Sequence, residues 1–250
     1  MTSWQELPRA AFDLETTGRD PREARVVTAS ILLVDRDGSP LEHHEWLADP
    51  GIPIPDEAAA IHGVSTEHAR THGQPPAKVV LEVAAVLARL FDDGVPVLAF
   101  NARYDFTVLE REGERHGVST PSPRPVLDPF IMDKQVDRYR RGKRTLTAMC
   151  AHYGIEFENA HTSAADVLAT LRVAAVLAHR FPLLARPAEE LHDAQLVWAE
   201  RQAASFQEYL RRTDPTAVIE CAWPVLPAGS SEEAQPPTVA IVATPALLNA

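Results

Sequence analysis

Asp13 and Glu15 close an apolar run, Ala10-Ala11-Phe12-Asp13-Leu14-Glu15, and Thr16-Thr17-Gly18 follows at once. On a strand, residues i and i+2 point to one face, which sets the two carboxylates side by side. Carboxylates that close repel one another unless something positive lies between them, and a divalent cation with oxygen ligands answers that need. Two later segments carry matching residue types: Phe100-Asn101-Ala102-Arg103-Tyr104-Asp105-Phe106 and His161-Thr162-Ser163-Ala164-Ala165-Asp166. Singly, Asp105 reads as a helix cap and Asp166 as a first-turn acid matched to the helix dipole. Together, four acids and one imidazole could hold divalent ions and move a proton.

The three segments, in this order, resemble the DnaQ-like DEDDh 3′-to-5′ exonucleases, the family of polymerase proofreading subunits. Phe12-Asp13-Leu14-Glu15-Thr16-Thr17-Gly18 matches its first motif, Asn101 through Phe106 its second, and His161 with Asp166 its third. Ile61-His62-Gly63-Val64 matches a further family segment between the first two. The resemblance covers roughly residues 9 to 180 and implies a ribonuclease H-like α/β fold, a five-stranded mixed sheet flanked by helices. It implies two Mg²⁺ ions per site, with Mn²⁺ as a substitute, held by Asp13, Glu15, Asp105 and Asp166. It makes His161 the general base, and a histidine's unperturbed pKa of ~6.5 suits proton removal near neutrality. Thr16, Thr17, His62 and Phe106 would contact substrate, although His62 also reads as a loop histidine without a ligand and Phe106 as core. His62, His68 and His72 suggest zinc only superficially, since no cysteine joins them.

The resemblance implies DNA as substrate, at single-stranded or frayed 3′ ends, with a DNA polymerase or sliding clamp as partner and roles in proofreading or repair. An RNA-directed exoribonuclease of oligoribonuclease or ribonuclease T type is the nearest alternative. A non-catalytic adaptor would have no chemical need for four clustered acids and a base. A phosphatase would not require the His-x4-Asp arrangement.

The elements that must position these residues are legible in outline. Residues 9–15 and 25–35 read as strands, Asp37-Gly38 as a tight turn, and residues around 42–47 as the third strand of an antiparallel pair. A Pro-rich loop over residues 49–55 leads to Ile61-His62-Gly63. Residues 78–91 show helical periodicity, 95–100 a buried strand, 125–128 a fifth strand, and 146–153 and 164–180 further helices. Asp105 opens a helix through Val108 and Leu109. Residues 187–212 read as one long helix with Leu191, Ala194, Leu196 or Val197, Phe206 and Leu210 on its apolar face. Its Gln202-Ala203-Ala204-Ser205-Phe206 stretch faintly resembles a clamp-binding peptide. The expected organisation is a nuclease domain over 1–182, a helical extension over 183–212, and a Pro-rich flexible tail over 213–250 that is dispensable for catalysis. Within that tail, residues 228–237 read as a linker and 238–243 as an apolar β-prone segment.

The net charge of −11 over 250 residues argues against a protein that grips long stretches of nucleic acid, since such grip draws on phosphate neutralisation. Arg138-Tyr139-Arg140-Arg141-Gly142-Lys143-Arg144 is the local exception; it reads as a solvated helix end, or as a patch guiding the backbone. Cys150 and Cys221 form neither a disulfide framework nor a zinc pattern, and Cys150 reads as a core thiol. The N-terminal residues lack a signal-peptide pattern and no segment approaches a membrane span. The expected location is cytoplasmic.

Overall fold

Arg9–Thr16, buried through Phe12 and alternating from there on, makes β1, and the β-branched stretch Val26–Val34 makes β2, paired antiparallel with Asp13 opposite Ser30 and Glu15 opposite Thr28. Asp35 turns the chain by accepting from the Asp37 and Ser39 amides, at 2.9 and 2.8 Å, into β3, Pro40–Leu47. The computed structural model describes residues 2–157 and 160–228. The expected linker at 228–237, beyond its first residue, and the expected segment at 238–243 lie outside the described residues.

Beyond β3 come α1 (Asp56–His62), α2 (Thr66–His72), α3 (Pro76–Asp92), β4 (Val97–Leu98), α4 (Arg103–His116), β5 (Val126–Leu127), α5 (Pro129–Val136), α6 (Leu146–Tyr153), α7 (Ser163–Arg180) and α8 (Ala188–Leu210). The sheet order is β3-β2-β1-β4-β5, with β4 and β5 running parallel to β1. This is the mixed five-stranded sheet expected of a ribonuclease H-like fold. Phe12 meets Phe106 of α4 at 5.3 Å between ring centroids, and Phe106 meets Phe91 of α3 at 6.3 Å, which seals one face. On the other face α7 packs against β1 and β2. No helix among the described residues is long and apolar enough to cross a membrane.

Three helices were not expected. The short α1 and α2 occupy what reads as loop, so His62 ends a helix. α5 starts at Pro129, where a missing N–H costs nothing, and is capped by Asp128 accepting from the Phe130 amide at 2.9 Å.

The end of the chain departs furthest from expectation. α8 buries Leu191, His192, Gln195 and Trp198, whereas Leu196, Val197 and Phe206 are exposed. The buried polar pair covers the open edge of β5. The Val126 amide donates to His192 Nδ1 at 3.0 Å, the Asp128 amide donates to Gln195 Oε1 at 2.7 Å, and Gln195 Nε2 donates to the Val126 carbonyl at 3.1 Å. An edge strand must have its backbone groups satisfied, and here a helix does what another strand would do. Residues 211–228 are not a flexible tail. They return as a strap across α4, burying Ala217, Trp223 and Leu226. The Leu226 amide donates to Thr107 Oγ1 at 2.9 Å, and Arg103 donates to the Glu220 carbonyl at 2.7 Å. A boundary at residue 213 cuts through packed structure.

Candidate active site

β4 pairs with β1 only through Ala10–Val97 and Ala11–Leu98, so further along β1 the backbone facing β4 has no strand partner. Asp105, in the first turn of α4, fills the gap by accepting from the Leu14 amide at 3.0 Å. Asp13 and Glu15, either side of Leu14, share the opposite face of β1 from Phe12. The carboxylates thus converge where the parallel strands end and the sheet splays, the usual place for ligands in such sheets.

α4 is aimed by its entry turn. Asn101 adopts φ 62°, a conformation that asparagine tolerates better than most residues. Buried Asp128 holds this turn: its Oδ1 accepts from the amides of Asn101 (3.0 Å) and Phe130 (2.9 Å), and its Oδ2 from the Ala102 amide (3.0 Å) and Trp223 Nε1 (3.4 Å). Burial pushes its pKa up to about 6 against those bonds.

His161 also has positive φ, 71°, in the turn before α7. Its amide donates to Asp166 Oδ1 at 3.1 Å, while Thr162 caps the helix by accepting from the Ala165 amide at 3.3 Å. Ser163 meets Thr28 of β2 at 3.2 Å and ties the helix start to the sheet. Ligand atoms of Glu15, His161 and Asp166 all lie within 4.8 Å of one another.

Asp13, Glu15, Asp105, His161 and Asp166 line one cleft of about 380 Å³, with Phe100, Tyr104, Phe130 and Arg144 among its walls. All four acids are hard to ionise there. Burial raises Asp13 well above the ordinary range, with Asp105, Asp166 and Glu15 repelling it further. Burial and then Asp166 take Glu15 to about 8. Burial likewise raises Asp105 and Asp166, against the Leu14 amide in one case and the His161 amide in the other. Oxygen ligands that repel one another suit a hard divalent cation, so the donor set fits the metal that the family resemblance implies.

A second cavity of about 420 Å³ adjoins through Glu15 and Tyr104 and contains Thr16, Thr17 and His62. Thr16 is engaged with Tyr104 and the Gly18 carbonyl. Thr17 accepts from the Arg25 amide at 3.0 Å. Both hydroxyls therefore shape the loop. His62 Nδ1 accepts from the Val64 amide at 3.2 Å, which leaves the proton on Nε2. That Nε2 is buried without a hydrogen-bond partner among the described residues, an orphan that a ligand could satisfy. Burial lowers the His62 pKa, and the nearby Thr16 backbone opposes the shift.

Phe106 is not in the cleft. It is 3% exposed and packs between Phe12 and Phe91; Phe100 and Phe130 take the aromatic position instead. The basic run is only in part solvated: Arg138, Tyr139, Arg141 and Lys143 are exposed, whereas Arg140 and Arg144 turn inward. Asp133, fully buried, accepts at Oδ2 from Arg144 Nε (2.7 Å) and Arg140 Nη2 (3.1 Å), and at Oδ1 from the Tyr153 hydroxyl (2.5 Å). Arg144, not singled out from the basic run in the sequence, thereby stands at the cleft wall. Its only sequence signal was membership of the basic run. Cys150 is core, and burial pushes its thiol up to about 11.

The exonuclease (RNase_T) family matches residues 10–174. A DNA polymerase III subunit epsilon-like protein of Rhodobacter capsulatus is 30% identical over 173 residues, covering 68% of this chain and 23% of that protein. Among solved structures, exonuclease I of E. coli in complex with a dA16 oligonucleotide superposes with a TM-score of 0.61 at 19% identity, covering 71% of this chain and 42% of that one. Another exonuclease I structure gives 0.61 at 20% identity, covering 80% and 46%. At these identities the likeness concerns the fold, and the chain spans less than half the length of those proteins.

Proposed function

The chain belongs to the RNase_T exonuclease family, among the DnaQ-like DEDDh enzymes, and we propose that it is a metal-dependent 3′-to-5′ exonuclease releasing 5′-monophosphates from single-stranded or frayed DNA ends. The observation that carries this reading is one cleft lined by four carboxylates together with His161, with Glu15 and Asp166 within reach of its ring. DNA is favoured by the name of the epsilon-like relative and by the oligonucleotide bound to exonuclease I. A polymerase as partner rests on that same relative.

Asp13, Glu15 and Asp166 would hold one Mg²⁺, and Asp13 with Asp105 a second; Mn²⁺ would substitute. Such ions activate water at neutral pH and stabilise the departing 3′ oxygen. The chain's own residues do the rest. His161, neutral, accepts the proton of the attacking water at a ring nitrogen. Arg144, steadied by Asp133, offers its guanidinium to a phosphate oxygen. His62 Nε2 donates to the terminal nucleotide, and Phe100 and Phe130 give its neighbour an apolar wall. The catalytic unit is residues 1–182 completed by α8 and the strap, because both brace the Asp128 turn that aims Asp105.

The test is digestion of labelled single-stranded DNA and RNA in Mg²⁺. Asp13→Ala abolishes turnover with the fold intact, and near-wild-type rates in that variant would sink the reading. His161→Ala lowers kcat by about 10²–10⁴-fold yet keeps the metal-induced rise in Tm. Loss of that rise would make His161 a ligand. Faster digestion of RNA than DNA would move the substrate assignment.

A further inference from the structure

Beside the acid cleft, and sharing Asn101 and Phe130 with it, lies a groove of about 370 Å³ between α4, α5, α8 and the strap. One wall is aromatic and apolar: Phe130, Phe206, Ile219 and Trp223. The other carries two half-buried cations, Arg103 and Lys134. Lys134 Nζ sits 4.9 Å from the centre of the Phe130 ring. Arg103 donates to a neutral carbonyl, that of Glu220. No carboxylate among the described residues comes within 4.0 Å of either cation. The acids that act on them are committed elsewhere: Asp128 to three amides and Trp223, Glu220 to Arg22 at 2.5 Å. Burial lowers the pKa of both cations, and Arg144 and Arg103 lower that of Lys134 further.

Cations crowded in a partly dry groove, facing aromatic rings, fit a phosphate with its sugar and base. Stacking platforms beside positive charge are how single strands are held. Deepening the nuclease reading and resting on it, we propose that this groove binds a nucleotide two or more positions upstream of the scissile bond, Lys134 and Arg103 on its phosphate, Phe130 and Phe206 against its base. Half of the groove comes from α8 and the strap, which lie beyond the matched residues 10–174. It also answers how so acidic a chain grips its substrate: the positive charge is concentrated where the strand leaves the cleft.

The test compares a dT dodecamer with a dT dinucleotide, which is too short to reach past the cleft. Two variants probe the groove: Lys134→Ala removes a cation, and Ala203→Trp fills the space from the half-buried Ala203 on α8. In each, the advantage of the dodecamer over the dinucleotide in kcat/KM falls about tenfold through KM, the size of one charge-assisted phosphate contact. Lys78→Ala, on exposed α3 surface, leaves it unchanged. A merely structural defect would lower the dinucleotide rate as well. An unchanged length advantage in both groove variants, or none in the wild type, overturns the proposal. Anisotropy of fluorescein-labelled dT and rU dodecamers separates this from failure of the nuclease reading. If no substrate is cut but Ala203→Trp still abolishes strand binding, the groove stands alone. If it does not, another ligand, such as a peptide, belongs there.

Discussion

Glu15→Gln should make the metal-free protein more stable and the metal-loaded protein relatively less so. The rise of Glu15 from 4.5 to about 8, at 1.36 kcal/mol per pH unit, sets a ceiling of about 5 kcal/mol on the cost of keeping it ionised in the fold. Glu15 is half-buried, and screening by water brings the expected cost to about 1–2 kcal/mol. The sign follows from linkage. A carboxyl raised in the folded state contributes stability that is complete below 4.5 and lost as pH rises through about 8. Urea unfolding in EDTA should therefore show wild-type stability falling across that window and a flatter curve in Glu15→Gln, the gap widest near about pH 9. In Mg²⁺ at 100 times its Kd the wild type should gain about 2.7 kcal/mol, and the variant, one ligand short, much less. The reasoning is refuted if Glu15→Gln is no more stable than wild type in EDTA at that pH, or if metal stabilises both equally.

Two further expectations concern the supports of the site. Asp133→Ala leaves Arg140 and Arg144 without their buried partner and should cost about 3–5 kcal/mol in urea unfolding, with a raised KM for oligonucleotides because Arg144 loses its tether. A chain ending at Arg212 loses buried Trp223 and Leu226 and should be destabilised by about 3–5 kcal/mol; a truncation as stable and active as the full chain would show that the strap is an ornament.

What was legible in the sequence was local. β1 announces its paired acids because period 2 and the burial pattern coincide along Phe12–Thr16. α6 was bounded as Leu146–Tyr153 because Thr145 caps it and Gly154 ends it at φ 69°, both readable in single residues. The three expected motifs that meet in the cleft each sit on an element with such a signal. Phe106 shows the limit: its neighbour Asp105 faces the site, and one step along a helix turns the next side chain toward the core.

What stayed illegible depends on partners far along the chain. Asp133 looks like a surface acid until Arg140, Arg144 and Tyr153 close on it, so neither its burial nor the inward turn of those two arginines has a periodic trace. His192 and Gln195 break the apolar pattern of α8 because that helix faces the polar backbone edge of β5 rather than side chains. An amphipathic reading chooses the wrong face in that circumstance, and it did so here with Val197 and Phe206. The strap follows the same logic. Prolines and polar residues describe a segment with too little apolar surface to fold alone, and three buried side chains with a few backbone hydrogen bonds suffice once a finished surface exists to receive them. Asp128 joins these late elements to the chemistry: α8 takes its amide, the strap brings Trp223 to its carboxylate, and that carboxylate holds the turn from which Asp105 projects. The motif residues therefore depend for their positions on a part of the chain that carries no motif.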